Sequence, residues 1–175
     1  MEMPVVRRLA VDEIAAMQAL RREALASEPL AFGATAEDDL ALDTAYAERS
    51  LADPATAAIF AAFVSRAPVG MVGVVRMTRE KVKYRALVWG MFVQPAYRGH
   101  GVGALVLEAA VSHARGWSGV RQVHLSVTSS SPAARRLYER AGFVVWGREP
   151  RALGWNDTFV DEYHLVLDLA PPTAV

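Results

Sequence analysis

The sequence predicts an α/β fold (α+β by some schemes), a mixed sheet of about seven strands with helices on both faces. Three observations carry that expectation. Apolar runs rich in strand formers, Ala57–Val64 and residues 86–93, are too short for typical helices. Helical patterns at 101–115 and 133–141 flank an alternating run at 122–128. The order does not alternate strictly. Hairpins come first and a strand–helix–strand crossover sits in the middle, so antiparallel and parallel pairing must share one sheet. At 175 residues the chain is expected to form one domain, 1–175, around a single core.

The elements follow in order. Residues 5–9 form a short first strand. Asp12 is placed to cap the next helix, which turns Ile14, Met17, Leu20, Ala24 and Leu25 inward and ends at Pro29. Residues 30–34 connect to a second helix, with Thr35 and Asp38 spaced as a capping box and Leu40, Tyr46, Ala47 and Leu51 along it. A meander of strands at 59–65, 70–78 and 86–93 comes next, with a charged turn at 79–85 holding Lys81 and Lys83. Gly90 predicts a bulge in the third of these strands. A helix at 101–115 directs Val102, Leu105, Val106, Ala109 and His113 to one face. The strand 122–128 alternates Val123, Leu125 and Val127 against His124 and Ser126. Ser131 as N-cap and Pro132 at the first helical position start the helix that Gly142 ends. Residues 143–148 read as a strand, 149–156 as a loop with Pro150, Gly154 and Trp155, and 158–169 as the last strand. The Pro171-Pro172 tail is expected to fray.

The turn Val93-Gln94-Pro95-Ala96-Tyr97-Arg98-Gly99-His100-Gly101-Val102-Gly103 organises the rest. A strand ends, glycines at alternate positions strip the turn of side chains, and a helix begins. Glycine lets a ligand approach the backbone, and the unpaired N–H groups of the first helical turn favour an anion. Arg98 adds a fixed positive charge with a donor fork suited to phosphate. The stretch reads as a pyrophosphate cradle. A dinucleotide fold competes through Gly99-x-Gly101-x-x-Ala104, but Pro95 to Arg98 intervene after the strand. The next strand, 122–128, also carries no carboxylate, which that fold needs for the ribose. A Walker loop is excluded because no Gly-Lys-Ser/Thr follows.

Arg98-Gly99-His100-Gly101-Val102-Gly103 matches the Arg/Gln-x-x-Gly-x-Gly/Ala signature of the GNAT superfamily of N-acetyltransferases, and Val93-x-Pro95-x-x-Arg98 resembles the approach to it. Leu137-Tyr138-Glu139-Arg140-Ala141-Gly142-Phe143, one helix and one strand further on, is similar to that superfamily's Leu-Tyr-x-x-x-Gly-Phe segment, and Ala134 fits as well. The arm from Ala24 to Leu51 resembles the acceptor-side helices of some members. The likeness covers 70–145 well and the arm loosely.

The resemblance implies a mostly antiparallel sheet and transfer of an acetyl group from acetyl-CoA, as co-substrate, to a primary amine. The acceptor would be a small molecule or a protein N-terminus, attacking directly within a ternary complex. Main-chain amides of Arg98, Gly99, His100, Gly101, Val102 and Gly103 would bind the pyrophosphate, and the edge of Met91, Phe92 and Val93 the pantetheine arm. Tyr138 would give a proton or hydrogen bond to the leaving thiolate. Two departures stand out. Ser131 occupies a position where many members have Asn, and the third meander strand has no glutamate to act as base. Glu162, Asp161, His124 or a water chain is left for that role, or none if desolvation lowers the amine's pKa. The missing carboxylate also leaves a second reading open, a non-catalytic acyl-CoA-binding or sensor module. Trp89, Trp155 and Phe159 are candidate acceptor-pocket walls. The acidic residues Glu37, Asp38, Asp39 and Asp43 are placed to attract a cationic amine or to favour a helix N-terminus.

Composition sets the outer limits. With 19 basic and 19 acidic residues there is no electrostatic footprint for nucleic-acid binding. The chain has no cysteine, which removes thiol nucleophiles, disulfides and cysteine-ligated zinc. Its 4 histidines form no helical ligand pair, so no metal site is expected. No apolar run approaches the roughly 20 residues that span a bilayer, and Arg7-Arg8 precede no apolar leader core. A cytoplasmic protein without a membrane partner is expected, and the resemblance allows a homodimer.

Overall fold

The computed structural model describes residues 3–169. Strands β1 (Val5–Arg8), β2 (Ala57–Val64), β3 (Ala67–Arg76), β4 (Arg85–Val93), β5 (Gln122–Thr128), β6 (Val144–Trp155) and β7 (Thr158–Asp168) form one 7-stranded sheet, ordered β1-β2-β3-β4-β5-β7-β6. Only β4 and β5 run parallel; every other neighbouring pair is antiparallel. Helices α1 (Ile14–Ser27), α2 (Thr44–Ala52), α3 (Val102–Arg115) and α4 (Pro132–Arg140) complete the fold. One core lies between α3 and the sheet and reaches Tyr138 on α4. The other lies under α1 and α2, around Met17, Leu20, Ile59, Phe63, Met71 and Phe92. The mixed sheet with helices on both faces is therefore as expected.

Several local expectations change. Asp12 does not cap α1. Glu13 instead closes the short turn that leads into α1, accepting from the Ala10 N–H at 2.9 Å and pairing with Arg7 at 2.5 Å, and α1 itself has no side-chain cap. The Arg7 hydrogen bond, helped by the Ala10 N–H, holds its carboxyl down at about 2. Thr35 and Asp38 close a turn through a 2.6 Å bond rather than starting a helix, and α2 begins later, where Asp43 accepts from the Tyr46 N–H at 2.8 Å. The inner face of α3 is Val102, Val106, Leu107, Ala110, Val111 and Ala114; Leu105 is on the outside, 39% exposed. Ser131 occupies the N-cap of α4 without its side chain capping. The segment read as a loop at 149–156 is largely strand. Asn156 and Asp157, both at positive φ (46° and 59°), make a tight hairpin turn from β6 into β7. The Pro171-Pro172 tail lies outside the described residues.

Three packing features position the site. β4 pairs with β5 only through Arg85, Ala86 and Leu87 against Gln122, Val123 and His124, after which the strands part. The expected bulge is present. Met71 and Gly73 of β3 face Phe92 and Trp89, so two residues of β4, Gly90 and Met91, stand against Val72 alone, with Gly90 at φ 63°. A Cβ on Gly73 would lie 2.1 Å from the Trp89 ring, so glycine there lets the indole lie flat on β3. Finally, the arm between α1 and α2 is anchored to α1. Arg21 and Asp39, at 6% and 5% side-chain exposure, pair at 2.7 Å, and the Arg21 guanidinium sits 4.5 Å from the Phe32 ring centroid.

Removing one partner of a buried pair leaves the other charge without compensation, at a cost of about 3–5 kcal/mol. Asp39→Ala is expected to lower unfolding stability by about 3 kcal/mol in urea titrations. A loss below about 1 kcal/mol, the range of an exposed pair, would show that the arm is held by other contacts.

Candidate active site

Where β4 and β5 part, a gap of about 80 Å³ opens through the sheet. The bulge on one side and the early end of pairing on the other leave the β5-facing edge of β4 without a strand partner beyond Leu87. Tyr138, Ala134 and Ser131 line the gap from α4; Ala31 and Phe32 line it from the arm; Trp89, Gly90 and Met91 come from β4, and Leu125, Ser126 and Val127 from β5. On β5, strand alternation sends Leu125 and Val127 to the α3 core and Ser126 to the arm face.

Tyr138 is buried, and desolvation raises its phenol above the ordinary range, so it stays a neutral O–H donor at physiological pH. Its ring meets Phe143 edge-on at 6.2 Å. Ser131 lines the gap, and its side chain does not cap α4.

At the far end of β4 the glycine turn behaves as the sequence suggests, with two differences. Gly99 and Gly101 both adopt φ 80°, and a Cβ on either would meet nothing within 4 Å. The Leu105 N–H reaches the Gly101 carbonyl at 3.1 Å, so the amides of Val102, Gly103 and Ala104 are the unpaired donors of the helix start. Gly103 serves packing: a Cβ there would come 2.9 Å from Leu137 and 3.1 Å from Met91. The Arg98 side chain is turned back. Its Nε donates to the Val93 carbonyl at 2.9 Å and its Nη2 pairs with Glu28 at 3.0 Å, so its charge braces strand end and arm instead of facing the cradle. His100 is exposed beside the turn. Of the strand residues, Met91 and Val93 pack toward α3 while the Phe92 side chain is buried under α1, so Phe92 offers only main chain.

The candidate bases separate clearly. Asp161 is a clamp for the irregular part of β6. It accepts from Arg148 and from the Arg151 N–H at 2.8 Å, and these bonds, the Arg151 one foremost, hold its carboxyl below the usual range. His124 pairs in register with Leu87 at the closed end of the gap and contacts Gln122 at 3.1 Å; burial lowers its pKa. Glu162 lies toward the open end, and desolvation pushes its carboxyl up. Beside it is an arrangement the sequence reading missed. Ser126 contacts His164 Nδ1 at 2.8 Å, and His164 Nε2 contacts Glu149 at 3.3 Å.

Of the acidic residues singled out, Asp39 is used by Arg21, Asp43 caps α2 and Asp38 closes a turn. A second cavity of about 420 Å³, lined by Leu40, Tyr46, Leu51, Ile59, Leu87 and Trp89, lies under α2, and Trp89 is common to both spaces. Trp155 and Phe159 stand exposed at the β6–β7 hairpin and line neither.

A co-substrate with an anionic diphosphate head and a long amide arm matches this geometry. The head suits the open glycine turn with its unpaired amides, and the arm suits the free edge of β4. The chain belongs to the acetyltransferase (GNAT) family, whose model matches residues 15–143. Acetyl-CoA is the co-substrate of this family.

Over 59 residues, 34% of this chain, it is 44% identical to mycothiol acetyltransferase from Streptosporangium roseum, and the match spans 17% of that protein's length. YncA from Salmonella typhimurium, solved with its cofactor acetyl-CoA, superposes with a TM-score of 0.83 at 19% identity, covering 99% of this chain and 98% of that one. A phosphinothricin acetyltransferase from Sinorhizobium meliloti in complex with acetyl-CoA also gives 0.83, at 15% identity over 96% and 89% of the two chains. No helix among the described residues is long and apolar enough to cross a membrane.

Gly101→Val would project a branched side chain into the open cradle from a backbone at φ 80°. It is expected to weaken acetyl-CoA binding at least tenfold, about 1.4 kcal/mol, by isothermal titration calorimetry. Gly103→Ala should instead lower thermal stability, because its Cβ meets Leu137. Normal acetyl-CoA affinity in Gly101→Val would refute the cradle.

Proposed function

We propose that the protein is an N-acetyltransferase that moves the acetyl group of acetyl-CoA to a primary amine of a small molecule or a protein N-terminus, by direct attack in a ternary complex. One observation carries the reading. The β4–β5 gap is lined from both faces of the sheet, by Tyr138 on the α4 side and by Phe32, Trp89 and Ser126 on the arm side. A donor entering from one face and an amine from the other would meet in the gap without an enzyme nucleophile between them, and proximity supplies much of the rate.

In this reading the amides following Arg98 hold the diphosphate, and the free edge of Met91–Val93 holds the pantetheine arm. A main-chain N–H there polarises the thioester carbonyl. Acetyl-CoA supplies the activated acetyl group. Tyr138, kept neutral by burial, gives its proton to the departing sulfur. The relatives named above include a phosphinothricin acetyltransferase and a mycothiol acetyltransferase, which supports a small-molecule acceptor. The Trp89 side of the gap, beside the apolar cavity, suits the body of such an acceptor.

The test is thiol release from acetyl-CoA with a panel of an arylalkylamine, a polyamine, an amino-acid amide and a tetrapeptide with a free N-terminus. Turnover of at least one is expected. Binding of acetyl-CoA with no turnover would favour a non-catalytic acyl-CoA-binding module instead. For the accepted amine, Tyr138→Phe should lower kcat about a hundredfold and leave acetyl-CoA affinity nearly intact. An unchanged kcat would remove Tyr138 from the mechanism.

A further inference from the structure

We propose that Ser126 and His164 form the proton relay that deprotonates the acceptor amine, with Glu149 fixing the imidazole in the tautomer the relay needs. This rests on the acetyl-transfer reading above and supplies the base that β4 lacks.

Pairing across the strands assembles the relay. Ser126 of β5 lies opposite His164 of β7, and Glu162 of β7 lies opposite Glu149 of β6. Tyr163, Leu165 and Leu167 pack into the α3 core, so alternation turns Glu162 and His164 to the other face, the arm side that Ser126 shares. The ligating atoms of His164, Glu149 and Glu162 all lie within 4.8 Å of one another. Trp146, the extra residue where β6 bulges, stacks on the imidazole at 5.4 Å and 26° and fixes the ring plane.

The tautomer follows from the partners. A carboxylate only accepts, so the proton of neutral His164 resides on Nε2 and is donated to Glu149 at 3.3 Å. Nδ1 then keeps a lone pair, and the Ser126 hydroxyl donates to it at 2.8 Å. The Ser126 oxygen in turn lines the gap with Phe32, Trp89 and Gly90, where an amine arriving from the arm side would sit.

The bookkeeping of the step is balanced. As nitrogen bonds to the acetyl carbon, its proton passes to Ser126 Oγ while the Ser126 proton passes to His164 Nδ1. The C–S bond breaks, and the sulfur takes the Tyr138 proton. Over one cycle a proton leaves through His164 and one enters through Tyr138. The imidazolium is stabilised by Glu149 from β6 and Glu162 from β7. The nearest cation, Arg148, is paired with Asp161, and His124 on β5 faces Gln122. In these terms Ser126 is a catalytic residue, and His164 and Glu149 are positioning residues.

The experiment measures kcat and KM against pH for the full chain with acetyl-CoA and the best amine of the panel, together with acetyl-CoA affinity. Ser126→Ala and His164→Gln should each lower kcat about a hundredfold with acetyl-CoA affinity unchanged. Ser126→Thr, which keeps the hydroxyl, should recover most of the rate. The pH dependence of kcat should differ between wild type and His164→Gln. A purely structural role for His164 would leave that dependence unchanged. Wild-type kcat and pH profile in His164→Gln would overturn the relay. So would an acetyl group found covalently on Ser126 after incubation with acetyl-CoA alone, since Ser126 would then be a nucleophile. If the wild-type protein turns over no amine of the panel, the acetyl-transfer reading falls and the relay with it; if only the variants are silent, the reading stands.

Discussion

Three pairs of residues join β4 to β5, and the site depends on their being no more than three. Parallel strands normally continue in register as long as their carbonyls and amides face one another. Here the bulge at Gly90 and Met91 turns β4 away just beyond Trp89, and the partners on β5 from Leu125 onward bond only to β7. The cost is a row of unpaired main-chain groups in the middle of a sheet, where an edge would otherwise be a liability. That cost is tolerable if a ligand with its own amides completes the ladder. The bulge has a second effect. It shifts the alternation of β4, so Trp89 and Phe92 both face α1 while Met91 and Val93 face α3. One glycine at φ 63° thus opens the gap and sorts the side chains that line its two mouths.

The arm that closes one mouth is short on regular structure and is tied down by specific contacts. Arg21 reaches from α1 to Asp39, Phe32 packs on the same guanidinium, the Ser130 hydroxyl donates to the Leu30 carbonyl at 3.2 Å, and Arg98 holds Glu28. A buried ion pair contributes little net stability over a well-packed apolar pair, because desolvation offsets most of the attraction. It does contribute discrimination: only one placement of the arm satisfies both charges. Arg98 belongs to this bracing. It ties the end of β4 to the arm, so the glycine turn and the arm-side mouth of the gap share a strut.

Much of this was legible in the sequence where the signal is local. Gln122–Thr128 alternates cleanly and is a strand with those bounds. Gly90 interrupts an apolar run and marks a bulge, and Gly99 and Gly101 take the left-handed conformation that only glycine adopts without strain. Failures arose where a tertiary partner overrode the local pattern. Asp12 and Glu13 are both plausible caps, and Arg7 from β1 selects Glu13. Pro150 and Gly154 argued for a loop at 149–156, yet Asp161 gathers Arg148 and the Arg151 amide and keeps the segment in the sheet. The Asn156-Asp157 turn was a readable hairpin signal masked by the residues before it. The couple of Ser126 and His164 had no sequence signature at all. The two are 38 positions apart, and only the antiparallel register of β5 and β7 makes them neighbours.

The same alternation that hid the couple puts Tyr138 and the Ser126–His164 pair on opposite faces of the sheet. A single β-strand presents successive side chains to opposite faces, so β5 offers Leu125 and Val127 to the α4 side and Ser126 to the arm. Tyr138 therefore stands over an apolar floor, where burial keeps its proton in place. Ser126 stands over the polar face of β6 and β7, where the carboxyl groups of Glu149 and Glu162 lie beside the His164 imidazole. If both groups shared one face, the carboxylates would disfavour proton loss from the phenol as the thiolate leaves, and the apolar packing would disfavour an imidazolium. The sheet itself is the insulator. Where β4 and β5 part, one gap is lined by a buried phenol from the α4 side and by the polar couple's serine from the arm side, so the two groups sit in different environments although they border the same space.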